Sequence, residues 1–222
     1  MTMADLLERL PSPHRLRELS IALAILDVAM SPEDDPDDRY FRFDPRDSSG
    51  VALASMDNGS GDRYFIAFTE DTVFGWGFSH EYPMNPFART PVAVWPGLLH
   101  DMPAAFEPLT RDARFQLADT FMATAAFWSQ GGRRWHTGSV IPPAGEPDPD
   151  GAEELFELIL DDNPQTFARF AEDYFDVRPD DAAVNAVYRS KPLDPAILAA
   201  LNPHADYENV RAQLRAMGLS AS

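Results

Sequence analysis

The sequence predicts an α+β protein with an N-terminal helix, a central antiparallel sheet covered on both faces, and a helical C-terminal unit. Three observations predict this class. A long pattern with helical spacing opens the chain, short apolar segments separated by tight turns begin near residue 51, and helix-start signals dominate after residue 150. We therefore expect an α+β core domain over 1–150 and a helical unit over 151–222, packed on the core or appended to it.

The first element is an amphipathic helix over residues 14–30. Ser12 is the expected N-cap, and Pro13 occupies the first helical position, where its missing N–H costs nothing. Two prolines and five carboxylates in 31–39 then predict a solvated loop. The apolar stripe repeats every three or four residues, through Leu16, Leu19, Leu23, Leu26 and Met30.

Three strands joined by tight turns are predicted from VALASMD, DRYFIAFT and TVFGWGFS, with NGSG and ED as the turns. A two-residue loop at Glu70-Asp71 pairs Phe65 with Trp76 and places Gly75 and Gly77 opposite Ile66 and Tyr64. Both faces are then apolar, so both must be covered. The two glycines on one face indicate that bulky rings or another backbone approach there.

The middle of the chain gives weaker signals. Six prolines in 83–110 predict an irregular crossing with one short helical turn around Trp95 to His100. Residues 115–128 fit a helix, but FMATAAFW followed by QGG and RRWHTGSVI also fits a hairpin that turns at Gly131-Gly132. We favour the hairpin.

Helices dominate after Gly145. GAEELFELILDD predicts one helix, and Asn163 and Asp194 are each followed by proline, which indicates a side-chain N-cap with proline at the first helical position. The remaining helices are expected near 164–176, 181–189, 195–201 and 206–217, the last of them ended by Gly218.

Composition and charge exclude several functions. The chain has 18 basic and 36 acidic residues, a net charge of −18, so phosphate backbones and anionic membranes would repel it. The absence of cysteine excludes disulfides, a thiolate nucleophile and sulfur-ligated metals. With no signal peptide and no apolar run long enough to span a membrane, we expect a cytoplasmic protein. We expect no cofactor and no bound metal. The sequence leaves the oligomeric state open.

The charge is concentrated in residues 141–182, which hold thirteen acidic and two basic residues. Such a region is either an ordinary solvated face or a surface that steers and holds a basic partner. Within it, EPDPDGAEELFE resembles a calcium loop, but the context favours the acidic start of a helix. The candidate partner-binding residues are Asp148, Asp150, Glu153, Glu154, Glu157, Asp161, Asp162, Glu172, Asp173 and Asp176.

A candidate catalytic group follows from the hairpin register. If NGSG (58–61) is a four-residue loop, Asp57 and Asp62 face each other, and the second hairpin brings His80 and Glu81 to the same end of the sheet. These residue types suit a hard metal ion or general acid–base catalysis. The alternative is structural, because aspartate beside glycine-rich turns usually bonds its own backbone.

Two resemblances accompany these patterns. At SMDNGSGDRYFIAFTEDTVFGWGFSHEYPMNPF (55–87), RRWHTG (133–138) and DPDG (148–151), the chain resembles a family of uncharacterised bacterial proteins with the same order of segments. More distantly, GDRYFIAFTEDTVFGWGFSHE is similar to the SUKH superfamily, α+β proteins whose bacterial members commonly act as immunity proteins against secreted toxins. The helical region after residue 150 departs from that pattern. The likeness implies a protein-binding role.

Two functions are therefore expected in order. The first is a non-enzymatic protein that binds a basic partner through its acidic surface, as an immunity or regulatory factor would. The second is a small hydrolase or metal-dependent enzyme built on Asp57, Asp62, His80 and Glu81 at the end of the sheet.

Overall fold

A six-stranded antiparallel sheet with the strand order β1-β2-β3-β4-β7-β8 forms the centre of the molecule. The computed structural model describes residues 1–33, 35–36, 38–46, 50–132 and 134–219. A separate ribbon of β5 and β6 precedes β7, and the α+β class is confirmed. The strands are β1 (Phe41–Asp44), β2 (Ala52–Asp57), β3 (Arg63–Phe68), β4 (Thr72–Phe78), β5 (Gln116–Leu117), β6 (Thr120–Phe121), β7 (Ala125–Gln130) and β8 (Trp135–His136).

The register of the central hairpin is the predicted one. Phe65 pairs with Trp76, and Ile66 and Tyr64 lie opposite Gly75 and Gly77. The Thr69 N–H donates to the Thr72 carbonyl at 2.9 Å, which closes the two-residue loop. The hairpin with a turn at Gly131-Gly132 is also confirmed, since β7 pairs with β8, although its loop includes residue 133, which lies outside the described residues.

Both faces of the sheet are covered, as predicted, but by different kinds of structure. Helices cover the face that carries Tyr64, Ile66 and Phe68. The proline-rich segment between β4 and β7 covers the other face, where Phe74 and Trp76 pack against Met84, Leu98, Phe106, Leu109, Phe115 and Phe121. The sheet is therefore the middle layer of two apolar cores.

The long helix α2 (Pro13–Met30) follows the short α1 (Met3–Leu6) and begins as predicted. The Ser12 hydroxyl accepts the Arg15 N–H at 3.3 Å, and Pro13 occupies the first turn. Its inner side joins the same apolar core as β1, β2 and the C-terminal helices. In the described part of the chain, no helix is long and apolar enough to cross a bilayer.

The C-terminal helices begin at the predicted caps. The side chains of Asn163 and Asp194 accept backbone N–H groups of the first helical turn, each ahead of a proline. After α3 (Glu107–Thr110), which lies in the crossing between β4 and β7, the helices are α4 (Ala152–Leu155), α5 (Glu157–Asp161), α6 (Pro164–Phe175), α7 (Asp181–Tyr188), α8 (Pro195–Leu201) and α9 (Tyr207–Ala216).

Two local expectations were wrong, and one strand was not predicted. The single helix predicted for GAEELFELILDD is two short helices separated at Phe156, whose ring packs on Tyr64 and Phe127 inside the core. The stretch around Trp95 to His100 forms hydrogen-bonded turns, and the short helices of this crossing lie at Pro86–Ala88 and Ala104–Thr110 instead. Strand β1 was not predicted, because its four residues are too few to show an alternation.

Candidate functional site

Asp62 is the centre of a polar cluster at the end of the β3–β4 hairpin. Its Oδ1 accepts the His80 backbone N–H at 2.9 Å and the Ser79 hydroxyl at 3.0 Å, and lies 2.8 Å from His80 Nδ1. Its Oδ2 accepts from the Asn58 side-chain amide at 3.1 Å. His80 Nε2 lies 3.9 Å from Glu81 Oε1, so three of the four predicted catalytic candidates come together.

Asp57, the fourth candidate, lies apart from this cluster. Asp57 pairs with Arg63 rather than with Asp62, so the loop has five residues and not the expected four. The physical reason is the Asn58 side-chain oxygen, which accepts the N–H groups of Ser60 and Asp62 and closes the wider turn. The Asp57 carboxylate accepts the Gly59 N–H at 2.9 Å, as aspartate beside a glycine turn commonly does.

This cluster holds together the two turns at the end of the sheet. Asp62 accepts four donors from two neighbouring turns, and these hydrogen bonds lower its pKa although its partial burial opposes the change. Ser79 is buried and donates to Asp62 rather than to an imidazole, which is not the arrangement of an activated serine nucleophile. Across the described ranges, no group of three or more His, Asp or Glu side chains is placed to hold a metal ion.

We expect a measurable consequence at His80. Its hydrogen bond to Asp62 raises the pKa of the imidazole above its ordinary value of 6.5, even though the ring is exposed. In Asp62→Asn the carboxylate charge is removed, so the pKa of His80 should return toward that ordinary value. Titration of the histidine ring protons by NMR measures both values. Equal values in the parent and the variant would contradict the ion pair.

The structure divides the ten predicted partner-binding residues into three groups, of which the first is buried. Asp150 is only 2% exposed and cannot meet a partner, so that part of the prediction is wrong. Its Oδ2 accepts the Met3 N–H at 2.7 Å and its Oδ1 accepts the Ala152 N–H at 3.1 Å. Asp148 lies half-buried beside it. Asp150 thus joins α1 to the start of α4.

This carboxyl pair makes stability depend on pH. Burial, together with the charge of Asp148 and a hydrogen bond with it, raises the pKa of Asp150 to about 6, although the hydrogen bonds from the Met3 and Ala152 N–H groups oppose the rise. Since the folded-state pKa lies above the ordinary 3.8, the folded protein binds the proton more tightly than the unfolded chain does. The resulting stabilisation is complete below about pH 4 and is lost as the pH rises through about 6.

Asp148→Asn should therefore stabilise the protein selectively at high pH. The substitution removes the negative charge next to Asp150, so we expect the melting temperature to rise on the order of 2 °C near pH 8 and to change little near pH 4. Thermal unfolding followed across this range measures the effect. Asp173→Asn removes an exposed carboxylate from the same acidic region and is the control. An increase of equal size at both pH values would contradict the pair.

The second group of acidic residues is paired within the protein. Arg15 binds Asp162 through two nitrogens, at 2.8 and 2.9 Å, and Arg9 binds Glu153 at 2.9 Å. Five of the ten predicted residues thus attach this part of the chain to the N-terminal segment, to Tyr82 or to itself. The remaining pairs are Glu154 with the Tyr82 hydroxyl, Asp161 with the Thr166 hydroxyl, and Glu172 with Arg178.

The third group is exposed and consists of Glu157, Asp173 and Asp176. Within the described residues, their carboxylates have no ion pair and no side-chain hydrogen bond. Glu157 and Asp173 line a groove of about 380 Å³ together with Phe170 and Tyr174. Arg169 also lines it, and its guanidinium donates to the Thr166 hydroxyl.

An aromatic cluster lies beside these carboxylates. The ring centres of Tyr40 and Tyr174 are 4.7 Å apart, and Phe170 stacks on Tyr174 at 5.5 Å. Tyr174 is 46% exposed, which is unusual for a large aromatic side chain. The groove therefore offers ring faces and unpaired carboxylates in one place, the combination that attracts cationic side chains.

Negative charges act on the aromatic cluster beside this groove. Burial, together with Tyr174 and the charges of Asp62, Glu154 and Glu157, raises the pKa of Tyr40 to about 12. The pKa of Tyr82 is also raised, because its hydroxyl donates a hydrogen bond to Glu154. The carboxylates of two separate sequence regions thus act on one surface.

Sequence reasoning missed the aromatic part of this surface. Phe170 and Tyr174 are four residues apart on α6, a spacing that could have indicated one helix face. Tyr40 precedes β1 and lies more than a hundred residues away along the chain. Only tertiary packing brings its ring against Phe170 and Tyr174.

We compared the chain with protein-family models, with curated proteins and with solved structures, and none of the three comparisons found a match. The likeness to the SUKH superfamily therefore stays a prediction.

Proposed function

We propose that this chain is a non-enzymatic cytoplasmic protein that binds a basic segment of another protein, as an immunity or regulatory factor. The proposed contact surface, here called the acidic groove, consists of Glu157 and Asp173 with the rings of Phe170 and Tyr174. Tyr40, whose ring packs on Tyr174, and Asp176, at the C-terminal end of α6, border it. This surface is smaller than the ten-residue surface expected from the sequence, because the acidic side chains other than these three are buried or paired inside the protein.

The observation that carries this proposal is the coincidence of unpaired carboxylates with an exposed aromatic side chain around one groove. An arginine or lysine of the partner would lie over the Tyr174 ring while its charge meets Glu157 or Asp173. The wider negative charge of the chain would accelerate the encounter, typically by 10-fold or more at low salt. Neither effect requires a catalytic residue.

Binding of an arginine- and lysine-rich peptide tests the proposal. Fluorescence anisotropy of the labelled peptide should show saturable binding that weakens as salt is raised from about 50 to 500 mM, because salt screens exposed charges. In the double variant Glu157→Gln/Asp173→Asn we expect affinity to fall about tenfold or more, and in Tyr174→Ala by about threefold or more.

A matched variant separates the groove from the general charge of the chain. Glu33→Gln/Asp119→Asn changes the net charge by the same amount at two exposed positions outside the groove. If the two double variants lose the same amount of peptide affinity, the peptide responds to net charge alone and the proposal is wrong. A pull-down at low and at high salt then seeks the natural partner, and recovery of no basic protein at either salt concentration would count against it.

The second candidate function is an enzyme at the end of the sheet, and the pairing of Asp62 with His80 is the observation that favours it. A carboxylate that holds an imidazole in one orientation is a common general-base arrangement. Thermal-shift assays with Mg²⁺, Mn²⁺ and Zn²⁺ test its metal-dependent form. A shift that is lost in Asp62→Asn would support it, and no shift in the parent protein would end that form.

A further inference from the structure

A cleft of about 380 Å³ lies where the start of α2 meets the β3–β4 and β7–β8 turns. None of the residues that line it also lines the acidic groove. One wall is the start of α2, with His14 and Arg17. A second wall is the turn of Glu70 and Asp71. Phe68 and Ser129 also line the cleft.

Ser129 is the first indication that something binds there. Its side chain is 1% exposed and lines the cleft, yet its hydroxyl has no hydrogen-bond partner in the described part of the chain. Buried hydroxyl groups nearly always have a partner, because leaving one unsatisfied costs free energy. A ligand in the cleft would supply that partner.

Arg17 is the second indication. Its guanidinium lies 5.4 Å from the centre of the Phe43 ring and 5.7 Å from that of Phe68. In the ranges that the structure describes, it makes no ion pair, although the chain carries twice as many acidic as basic residues. Arg15, two positions earlier, is by contrast bound to Asp162. The rings thus hold Arg17 beside the cleft with its donors available.

The two walls carry opposite charges. The helix wall has Arg17 and the N-terminus of the 18-residue helix α2, whose aligned peptide dipoles favour a negative group. The turn wall has the exposed carboxylates of Glu70 and Asp71, which have no ion pair with any described residue. A plain anion would meet repulsion from these two carboxylates and from the net charge of −18.

We infer that this cleft binds a free α-amino acid. The ligand's carboxylate would lie at Arg17 and the first turn of α2, where a guanidinium can donate two hydrogen bonds. Its ammonium group would face Glu70 and Asp71, and the Ser129 hydroxyl would bond a ligand oxygen. A zwitterion has no net charge, so the negative field of the protein does not exclude it. The cleft volume has room for an amino acid with a side chain.

Calorimetry on the full chain tests this inference. Thermal-shift assays with each of the twenty common L-amino acids identify the best binder, and titration calorimetry measures its affinity beside that of propionate and ethylamine. We expect at least one amino acid to bind at millimolar concentration or below, and about tenfold more tightly than either fragment. Arg17→Gln should weaken that binding by about tenfold or more.

Two further variants make the result decisive. Ser129→Ala should weaken amino-acid binding while leaving the melting temperature of the ligand-free protein unchanged or higher, since the hydroxyl has no protein partner. Arg215→Gln removes an exposed guanidinium from α9, outside the cleft, and should bind like the parent. The inference is overturned if no amino acid binds, if propionate binds as tightly, or if binding survives Arg17→Gln or Ser129→Ala.

Discussion

Asp27→Asn is expected to lower the free energy of unfolding by about 3–5 kcal/mol, the usual cost of breaking a buried ion pair. Asp27 in α2 and Arg39 each have a side chain only 1% exposed, and the charged atoms lie 3.3 Å apart. Asp27 also accepts the Phe41 N–H at 2.9 Å, so it ties α2 to the first residue of β1. The variant keeps the shape but leaves a buried guanidinium beside a neutral amide. Urea denaturation measures the loss.

The double variant Asp27→Leu/Arg39→Met shows whether the loss comes from charge. It removes both buried charges, so we expect it to recover a large part of the stability lost in the single variant. Recovery would be incomplete, because Arg39 also donates to the Ser31 carbonyl at 3.1 Å and to the Gln213 side chain at 2.5 Å. A single variant within about 1 kcal/mol of the parent would contradict the structural importance of this pair.

Gly75→Ala is expected to destabilise the sheet by about 3 kcal/mol through overpacking. A methyl group at this position would lie 2.2 Å from the Phe127 ring, well inside contact distance. Phe127 is fully buried and held by Phe156 and Trp135 at its edges, so it has little freedom to move away. Chemical denaturation of the variant measures the effect directly.

Phe127→Leu provides the matched test of that mechanism. A smaller side chain leaves space for the new methyl group, so Gly75→Ala should cost much less in the Phe127→Leu background than in the parent. Additive effects of the two substitutions would show that the ring is not what excludes the methyl group. The result would then point to the backbone at residue 75.

The fold was largely predictable because its signals are local. Ser12, Asn163 and Asp194 mark helix starts through the bonds that their own side chains make to the next turn. The register of β3 and β4 follows from the two-residue loop at Glu70-Asp71. That register places Gly75 opposite Ile66. Strand β1 and the break at Phe156 were not predictable in this way, since both depend on partners distant in sequence.

The candidate sites were less predictable, because charge in a sequence does not reveal its pairing. Asp62 and His80 came together as the register implied, but the turn around Asn58 placed Asp57 elsewhere. Nothing in the sequence distinguishes Asp150 from the other acidic residues around it. In the structure it is buried and accepts the backbone N–H of Met3. The sequence shows that 141–182 is acidic without showing which carboxylates remain available to a partner.

The sequence by itself determined the α+β class, the helix starts, the central hairpin and the excess of negative charge, since each depends on neighbouring residues or on composition alone. Tertiary structure decided which carboxylates are buried, which are paired and which line a groove with Phe170 and Tyr174. It also decided that Arg17 and Ser129 share a cleft. The physical reason is that burial and pairing belong to side chains brought together from distant positions, and no local pattern records them.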